Sequence, residues 1–83
     1  MPASQEIRAF DLFCGGGGSS IGAMQAGVRP VGGVDLWPIA AKAFENNVRG
    51  ATAYSCDINA LEPERVSDEL GPVDLLMAQR RKG

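Results

Sequence analysis

The sequence contains no histidine, only two cysteines and no long apolar run, and these absences narrow the functions open to it. Without histidine, the chain alone offers neither imidazole acid–base catalysis nor most kinds of zinc site. A membrane-spanning helix needs about 20 consecutive apolar residues, and no stretch of this sequence approaches that length. The first residues do not resemble a signal peptide, so we expect reduced thiols and a cytoplasmic location.

Basic side chains are scarce before the last few residues. Three of the eight Lys and Arg residues stand together at positions 80–82, so residues 1–78 hold five basic against ten acidic side chains, a balance of −5. Such a balance does not suit a surface that binds phosphates by charge. We therefore expect the chain by itself to bind DNA weakly, and the basic run at positions 80–82 to be solvated.

Glycine, in contrast, is abundant, and four glycines stand together at positions 15–18. They follow an apolar segment, residues 7–13, that predicts a buried strand. Ser19 or Ser20 then suits the N-cap of a helix. Because glycine tolerates positive φ and has no side chain, backbone N–H groups in such a turn can approach a ligand closely. The sequence therefore predicts a small-molecule site at this turn.

The remaining chain predicts alternating strands and helices. Further strands are expected at residues 31–35, 52–55 and 73–78. Helices are expected from residue 19 or 20 to 27, from 38 to about 47, and from 63 to 71. The order β-α-β-α-β-α-β with short connections predicts a single α/β domain, with an open, doubly wound parallel sheet of about four strands and helices on both faces.

Ligands of such sheets bind beyond the carboxyl ends of the strands, where two aspartates are expected. Asp35 stands 17 residues after Gly18, close to the position of the carboxylate that holds ribose hydroxyls in dinucleotide-binding folds. Its alternative is an exposed loop carboxylate. Asp57 can accept a hydrogen bond from an adenine amino group while Ile58 packs on the base, or it can cap a turn.

Three other side chains are assigned structural roles. Asp11 and Asp74 lie inside predicted strands. Cys14 lies beside a helix N-terminus, which can lower a thiol's pKa, but without a histidine partner we expect a packed thiol.

The glycine turn matches neither of the common phosphate-binding patterns. Ser20 stands where the dinucleotide fingerprint needs its third glycine, and Gly22 is followed by Ala23 and Met24 where a P-loop has Lys and Ser or Thr. The missing lysine argues against hydrolysis of ATP or GTP. A nucleoside ligand without phosphates stays compatible, and S-adenosylmethionine fits a glycine turn with two carboxylates.

The segment Asp-Leu-Phe-Cys-Gly-Gly-Gly-Gly at residues 11–18 closely resembles the first motif of the DNA cytosine-5 methyltransferases. The resemblance continues through residues 33–36, 56–59 and 73–78, in the family's order and spacing, and covers about residues 7–78. It implies a Rossmann-like sheet, the N-terminal half of a class I methyltransferase fold, with S-adenosylmethionine as cofactor and DNA as the substrate of the complete enzyme.

Carried over residue by residue, the resemblance implies a cofactor site. Phe13 would lie against the adenine, Gly15 and Gly18 would shape the turn around the methionine part, and Asp35 would hold the ribose. The family usually has Glu where this chain has Asp35, a shortening that should preserve the role. Leu36 would pack on the adenine, and Asp57 with Ile58 would read its edge. The implied cofactor-binding residues are Phe13, Cys14, Gly15, Gly16, Gly18, Asp35, Leu36, Asp57 and Ile58.

The family's catalytic cysteine has no counterpart in these residues. In the family, a Pro-Cys pair shortly after the fourth strand supplies the thiolate that attacks a flipped-out cytosine. Here Ala78 is followed by Gln79, and Arg81 and Lys82 stand at the two positions. Both cysteines of the chain lie on the cofactor side of the pattern. We therefore expect no catalytic residue, no methyl transfer and weak or no cofactor binding by this chain alone, as from a truncated or frameshifted gene.

Other interpretations remain open at this point. The chain fits one subunit of a split methyltransferase, or a non-catalytic nucleotide-binding or interaction module. A transfer-RNA cytosine methyltransferase is compatible with the same residues. The apolar strand at residues 73–78 is expected to lie at a sheet edge, where it would favour self-association or a partner.

Overall fold

The chain folds as alternating strands and helices in the predicted order. The computed structural model describes residues 6–13, 15 and 18–78. The elements are β1 (Ile7–Asp11), α1 (Gly18–Gln25), β2 (Val28–Asp35), α2 (Pro38–Asn47), β3 (Thr52–Ser55), a 3-10 helix (Ile58–Ala60), α3 (Pro63–Leu70) and β4 (Leu75–Met77).

The four strands form one parallel sheet in the order β3-β2-β1-β4. After β1 the chain builds β2 and β3 on one side, and then returns through α3 to place β4 on the other side. The boundary between β1 and β4 is therefore the point at which the strand order reverses, and ligands of open α/β sheets bind in the crevice at such points. The sheet confirms the Rossmann-like α/β fold.

Helices α2 and α3 cover opposite faces of the sheet. Val66 of α3 packs in a buried cluster with Phe10, Val34 and Tyr54. Phe44 of α2 and Val48, which follows the helix, are fully buried against Ala51 and Ala53. Successive residues of a strand point to opposite faces, so Ala53 and Tyr54 of β3 belong to different layers. Apolar side chains on both faces suit a sheet that helices enclose.

Strand β2 is longer than the predicted segment 31–35 because it contains Pro30. The register pairs Ala9 with Pro30 but Phe10 with Gly32, so Val31 is an extra residue in a bulge. A bulge tolerates proline, which has no N–H for the ladder. The difference arises because pairing with β1, rather than local preference, sets the start of β2.

Strand β1 is shorter than the predicted segment 7–13 because the chain turns after Asp11. The Asp11 side chain is fully buried, and its Oδ1 accepts a hydrogen bond of 3.1 Å from the backbone N–H of Phe13. A buried carboxylate that holds its own turn agrees with the structural role predicted for Asp11. This bond fixes the position at which the chain leaves β1.

The amino-terminal side of β4 is held by Arg8. The Asp74 N–H donates to the Arg8 carbonyl at 2.7 Å, and the Arg8 N–H donates to Asp74 Oδ2 at 3.0 Å. The Arg8 guanidinium donates to the carbonyl oxygens of Leu70 and Pro72, the second at 2.7 Å. These carbonyls follow the end of α3, where helices leave acceptors unsatisfied. Asp74 is thus structural, as predicted, and β4 starts at Leu75 instead of residue 73.

Tyr54 links β3 to α3 through a short hydrogen bond. Its hydroxyl donates to Glu69 Oε1 at 2.5 Å, and the Arg65 guanidinium lies 5.2 Å from the centre of the Tyr54 ring. Burial, followed by the bond to Glu69, raises the pKa of Tyr54 to about 12. The same hydrogen bond holds the pKa of Glu69 below its usual range. A neutral phenol therefore donates to a carboxylate at physiological pH.

Candidate functional site

The carboxyl ends of three adjacent strands bring the predicted site segments to one edge of the sheet. Asp11 at the end of β1 is in register with Gly33 of β2, and Asp35 at the end of β2 is in register with Ser55 of β3. The glycine turn follows Asp11, and Asp57 follows Ser55 by two residues. The edge therefore carries the turn, Asp35 and Asp57 side by side, as the strand order predicts.

Asp35 joins the glycine turn to the start of α2. Its Oδ2 accepts a hydrogen bond of 3.0 Å from the backbone N–H of Gly15, and its Oδ1 accepts one of 3.0 Å from the N–H of Trp37. Asp35 is partly buried, and its carbonyl accepts a ladder bond from Cys56 N–H. Asp35 is therefore not merely an exposed loop carboxylate.

Gly15 adopts a conformation that favours glycine. Its φ is +47°, and a Cβ built there would meet no atom of the described residues within 4 Å. The backbone conformation is left-handed, and no described residue fills the space above it. Both features suit a turn that presents its backbone to a small molecule. Gly18 begins α1, whereas Cys14 and Gly16 lie outside the described residues, as do the side chains of Ser19 and Ser20.

Asp57 caps the short 3-10 helix, which the sequence analysis did not predict. Its Oδ1 accepts a 2.8 Å hydrogen bond from Asn59 N–H, and the residue itself is exposed. The capping alternative is thus confirmed. An exposed carboxylate has further acceptor sites, so the cap leaves a contact with a ligand chemically possible. Ile58 is partly buried and packs against the cluster of Phe10 and Val66.

Three apolar side chains are exposed at the same edge. Phe13 is 54% exposed, Leu36 is 65% exposed and Trp37 is 61% exposed. Phe13 follows β1, and the other two follow β2, so all three lie at the carboxyl edge of the sheet. Exposed aromatic and aliphatic side chains beside polar groups are typical of ligand-binding surfaces.

A groove on the α3 face was not predicted. It has a volume of about 370 Å³ and lies at the boundary between β1 and β4. Its wall comes from separate parts of the chain, so no local sequence pattern reveals it. The lining residues are Phe10, Leu12, Ile58, Leu61, Pro63, Val66, Ser67, Gly71, Val73 and Leu76.

The described residues offer no evident metal site and no membrane-spanning helix. Across residues 6–13, 15 and 18–78, His, Cys, Asp and Glu nowhere form a group of three that could hold a metal ion. In the same part of the chain, no helix has the length and apolar character needed to cross a bilayer.

Comparison with known proteins identifies the family of the chain. The sequence profile of the C-5 cytosine-specific DNA methylases matches residues 7–79, which is most of the chain. The chain belongs to the C-5 cytosine-specific DNA methylase family. The resemblance seen in the sequence is thereby confirmed, and the matched residues contain every element from β1 to β4.

Similar proteins of the C-5 cytosine-specific DNA methylase family include two vertebrate enzymes. DNA (cytosine-5)-methyltransferase 1 of Gallus gallus is 40% identical over 57 residues, which are 68% of this chain and 4% of that protein. The enzyme of the same name from Mus musculus is 39% identical over 57 residues, with the same coverage. The chain thus spans a small fraction of the length of these relatives. The family's name specifies cytosine in DNA as its substrate.

Proposed function

We propose that this chain is the S-adenosylmethionine-binding part of a DNA (cytosine-5) methyltransferase. The observation that carries the proposal is the contact between Gly15 and Asp35, because it joins the glycine turn to an acidic residue at the end of β2. In a chain of this family, that pair is the expected support for an adenosine. The two residues lie at the carboxyl edge of the sheet, where ligands of such folds bind.

The polar and apolar groups at the edge fit an adenosine. Asp35 offers acceptors to ribose hydroxyls, and Asp57 offers an acceptor to the adenine amino group. Phe13 and Leu36 expose apolar surface for the two faces of the base. Ile58 would contribute to the same pocket from the start of the 3-10 helix.

The glycine turn is proposed to hold the methionine part of the cofactor. Gly15 has open space where a side chain would stand, so its backbone can approach a ligand. Cys14, Gly16 and Gly18 complete this part of the site in the proposal. When bound, the cofactor supplies the methyl group, and the residues of this chain bind and orient it.

The methyl-transfer step needs a nucleophile that we do not assign to these 83 residues. The cysteines at positions 14 and 56 follow Phe and Ser, so neither stands in the Pro-Cys pair typical of the family. Within the described residues, Cys56 is a partly buried free thiol, in keeping with the cytoplasmic location that we propose. Methyl transfer to cytosine in DNA therefore belongs, in this proposal, to a complete enzyme or to an assembly with a second subunit.

Strand β4 is proposed as a contact for a second copy of the chain or for a partner. It pairs with β1 on one side and lies at the end of the sheet, with Leu75 and Leu76 exposed. An apolar edge strand favours pairing with another strand. Sedimentation velocity over a hundredfold range of concentration should reveal dimers, which Leu76→Lys should abolish. A monomer at every concentration would contradict self-association.

A fluorescence titration tests the cofactor proposal. The sequence contains one tryptophan, Trp37. Its backbone N–H donates to Asp35, so the indole stands beside the proposed site and its emission reports on binding there. Of the two outcomes expected from the sequence, weak binding and none, the contact between Gly15 and Asp35 favours weak binding. We therefore expect a saturable change with S-adenosylmethionine and with its demethylated product, half complete at ~1 mM, equivalent to about −4 kcal/mol. A short DNA duplex should alter it little, because the body of the chain is acidic.

The same titration distinguishes a cofactor-binding part of a methyltransferase from a non-catalytic nucleotide-binding module. A non-catalytic nucleotide-binding module would respond to NAD or adenosine at least as strongly as to S-adenosylmethionine. Unchanged emission through millimolar S-adenosylmethionine, or tighter binding of NAD, would overturn the proposal.

A further inference from the structure

The Asp35 carboxylate uses both oxygens to hold backbone that belongs to two different segments. Oδ2 accepts the N–H of Gly15, 20 residues earlier in the chain, and Oδ1 accepts the N–H of Trp37, both at 3.0 Å. We call this arrangement, Asp35 with Gly15 and Trp37, the Asp35 bridge. A ribose-binding role alone does not require either bond.

The bridge acts on Gly15, a residue that is costly to order. Glycine loses more conformational freedom on folding than any other residue, and Gly15 also takes a positive φ of +47°. Among the described residues, none comes within 4 Å of its Cβ position, so none of them packs on it. A hydrogen bond to a charged carboxylate is stronger than one between neutral groups, and it fixes the direction of the Gly15 N–H.

We infer that Asp35 is a positioning residue that orders Gly15 before any ligand binds. A carboxylate has about four acceptor sites, and the bridge occupies two of them. The other two can accept ribose hydroxyls while both backbone bonds persist. The link to cofactor binding rests on the proposed function, whereas the ordering of Gly15 does not.

The test compares Asp35→Asn with the wild-type chain by amide hydrogen exchange without ligand. Asparagine keeps the shape but replaces one acceptor oxygen by an NH₂ group, which then faces a backbone donor. We expect exchange at Gly15 and Trp37 to become about tenfold faster, the effect of losing one charge-assisted hydrogen bond. Exchange at Val34, in the core of β2, should stay unchanged. Faster exchange at every amide would instead indicate a general structural role and would overturn the inference.

Asp57→Asn is the matched control for the exchange measurement. Its carboxylate accepts from Asn59, two residues ahead, and makes the same kind of local turn without reaching the glycine segment. The control should leave Gly15 exchange within twofold of wild type. Unchanged Gly15 exchange in Asp35→Asn itself would contradict the Asp35 bridge.

A second arm measures the coupling to the cofactor. The probe is an analogue of S-adenosylmethionine whose ribose lacks both hydroxyls. Asp35 cannot accept a hydrogen bond from the ribose of this analogue. If the carboxylate positions the turn, Asp35→Asn should still weaken binding of this analogue by about tenfold. Equal affinity of the variant and wild type would show that Asp35 acts through the ribose alone. If wild type binds neither ligand, the proposed function fails, while the exchange arm still decides the Asp35 bridge.

Discussion

Phe44→Ala should lower the free energy of unfolding by about 4 kcal/mol, since removing a buried phenylalanine costs 3–5 kcal/mol through lost apolar burial and the cavity left behind. Phe44 is 0% exposed and packs with Val48 between α2 and the sheet. Helix α2 begins immediately after Leu36 and Trp37, so loosening it should also disturb the candidate site. A chain of this size has a total stability of the same order, and partial unfolding at 25 °C is expected.

Ile39→Ala is the control on the same helix. Its side chain is 84% exposed, so the expected change is within about 0.5 kcal/mol. Urea unfolding followed by circular dichroism measures both variants. Similar losses for the two would mean that α2 does not bury the face that contains Phe44.

Gly32→Ala should destabilise the chain by about 3 kcal/mol because the added methyl group has no room. A Cβ at Gly32 would lie 2.6 Å from Leu70 Cδ1 and 2.7 Å from the carbonyl oxygen of Thr52. The leucine can rotate, but the carbonyl belongs to the ladder between β2 and β3 and cannot move without breaking it. The ring of Phe10, at 3.1 Å, closes the third side. Thermal or urea unfolding measures the loss.

Gly22→Ala separates this steric effect from the general effect of replacing glycine. Gly22 lies within α1 and has no atom within 4 Å of a built Cβ. Alanine is preferred in helices by about 1 kcal/mol, so this variant should be neutral or more stable. If Gly32→Ala were also neutral, the close packing of α3 on β2 would be wrong.

Helix bounds were predictable where proline and glycine mark them. Pro38 and Pro63 begin α2 and α3 at the first turn, where a missing N–H costs nothing. Gly71 follows the end of α3 with a φ of +84°, a conformation that other residues rarely adopt. These signals are local, and the structure confirms the helices that they predict.

Strand bounds were less predictable because they depend on partners distant in sequence. Proline is rare inside strands, yet Pro30 lies inside β2, where the bulge next to its pairing with Ala9 accepts it. The same strand contains Gly32 and Gly33, and glycine inside a strand lowers the strand's stability. The structure shows that Gly32 is needed for contact with Leu70, which lies 38 residues further along the chain. No local pattern reveals such a contact.

The candidate site was predictable as a set of residues but not as a set of bonds. The sequence placed Asp35 and Asp57 at the ends of neighbouring strands, and the sheet register brings those ends together. The bond from Gly15 to Asp35 depends on the path of the glycine turn, which composition does not determine. The groove beside α3 was missed because its residues come together only when β4 returns to β1.

The central claim is that the carboxyl edge of this sheet binds the adenosine of S-adenosylmethionine. The most direct measurement is a titration of the isotopically labelled chain, with amide chemical shifts followed residue by residue. We expect saturable changes in the amide chemical shifts of Gly15, Leu36 and Asp57. S-adenosylmethionine and its demethylated product should cause the same changes. Shifts confined to the opposite edge, near Arg8 and Asp74, or no shifts through millimolar ligand, would contradict it.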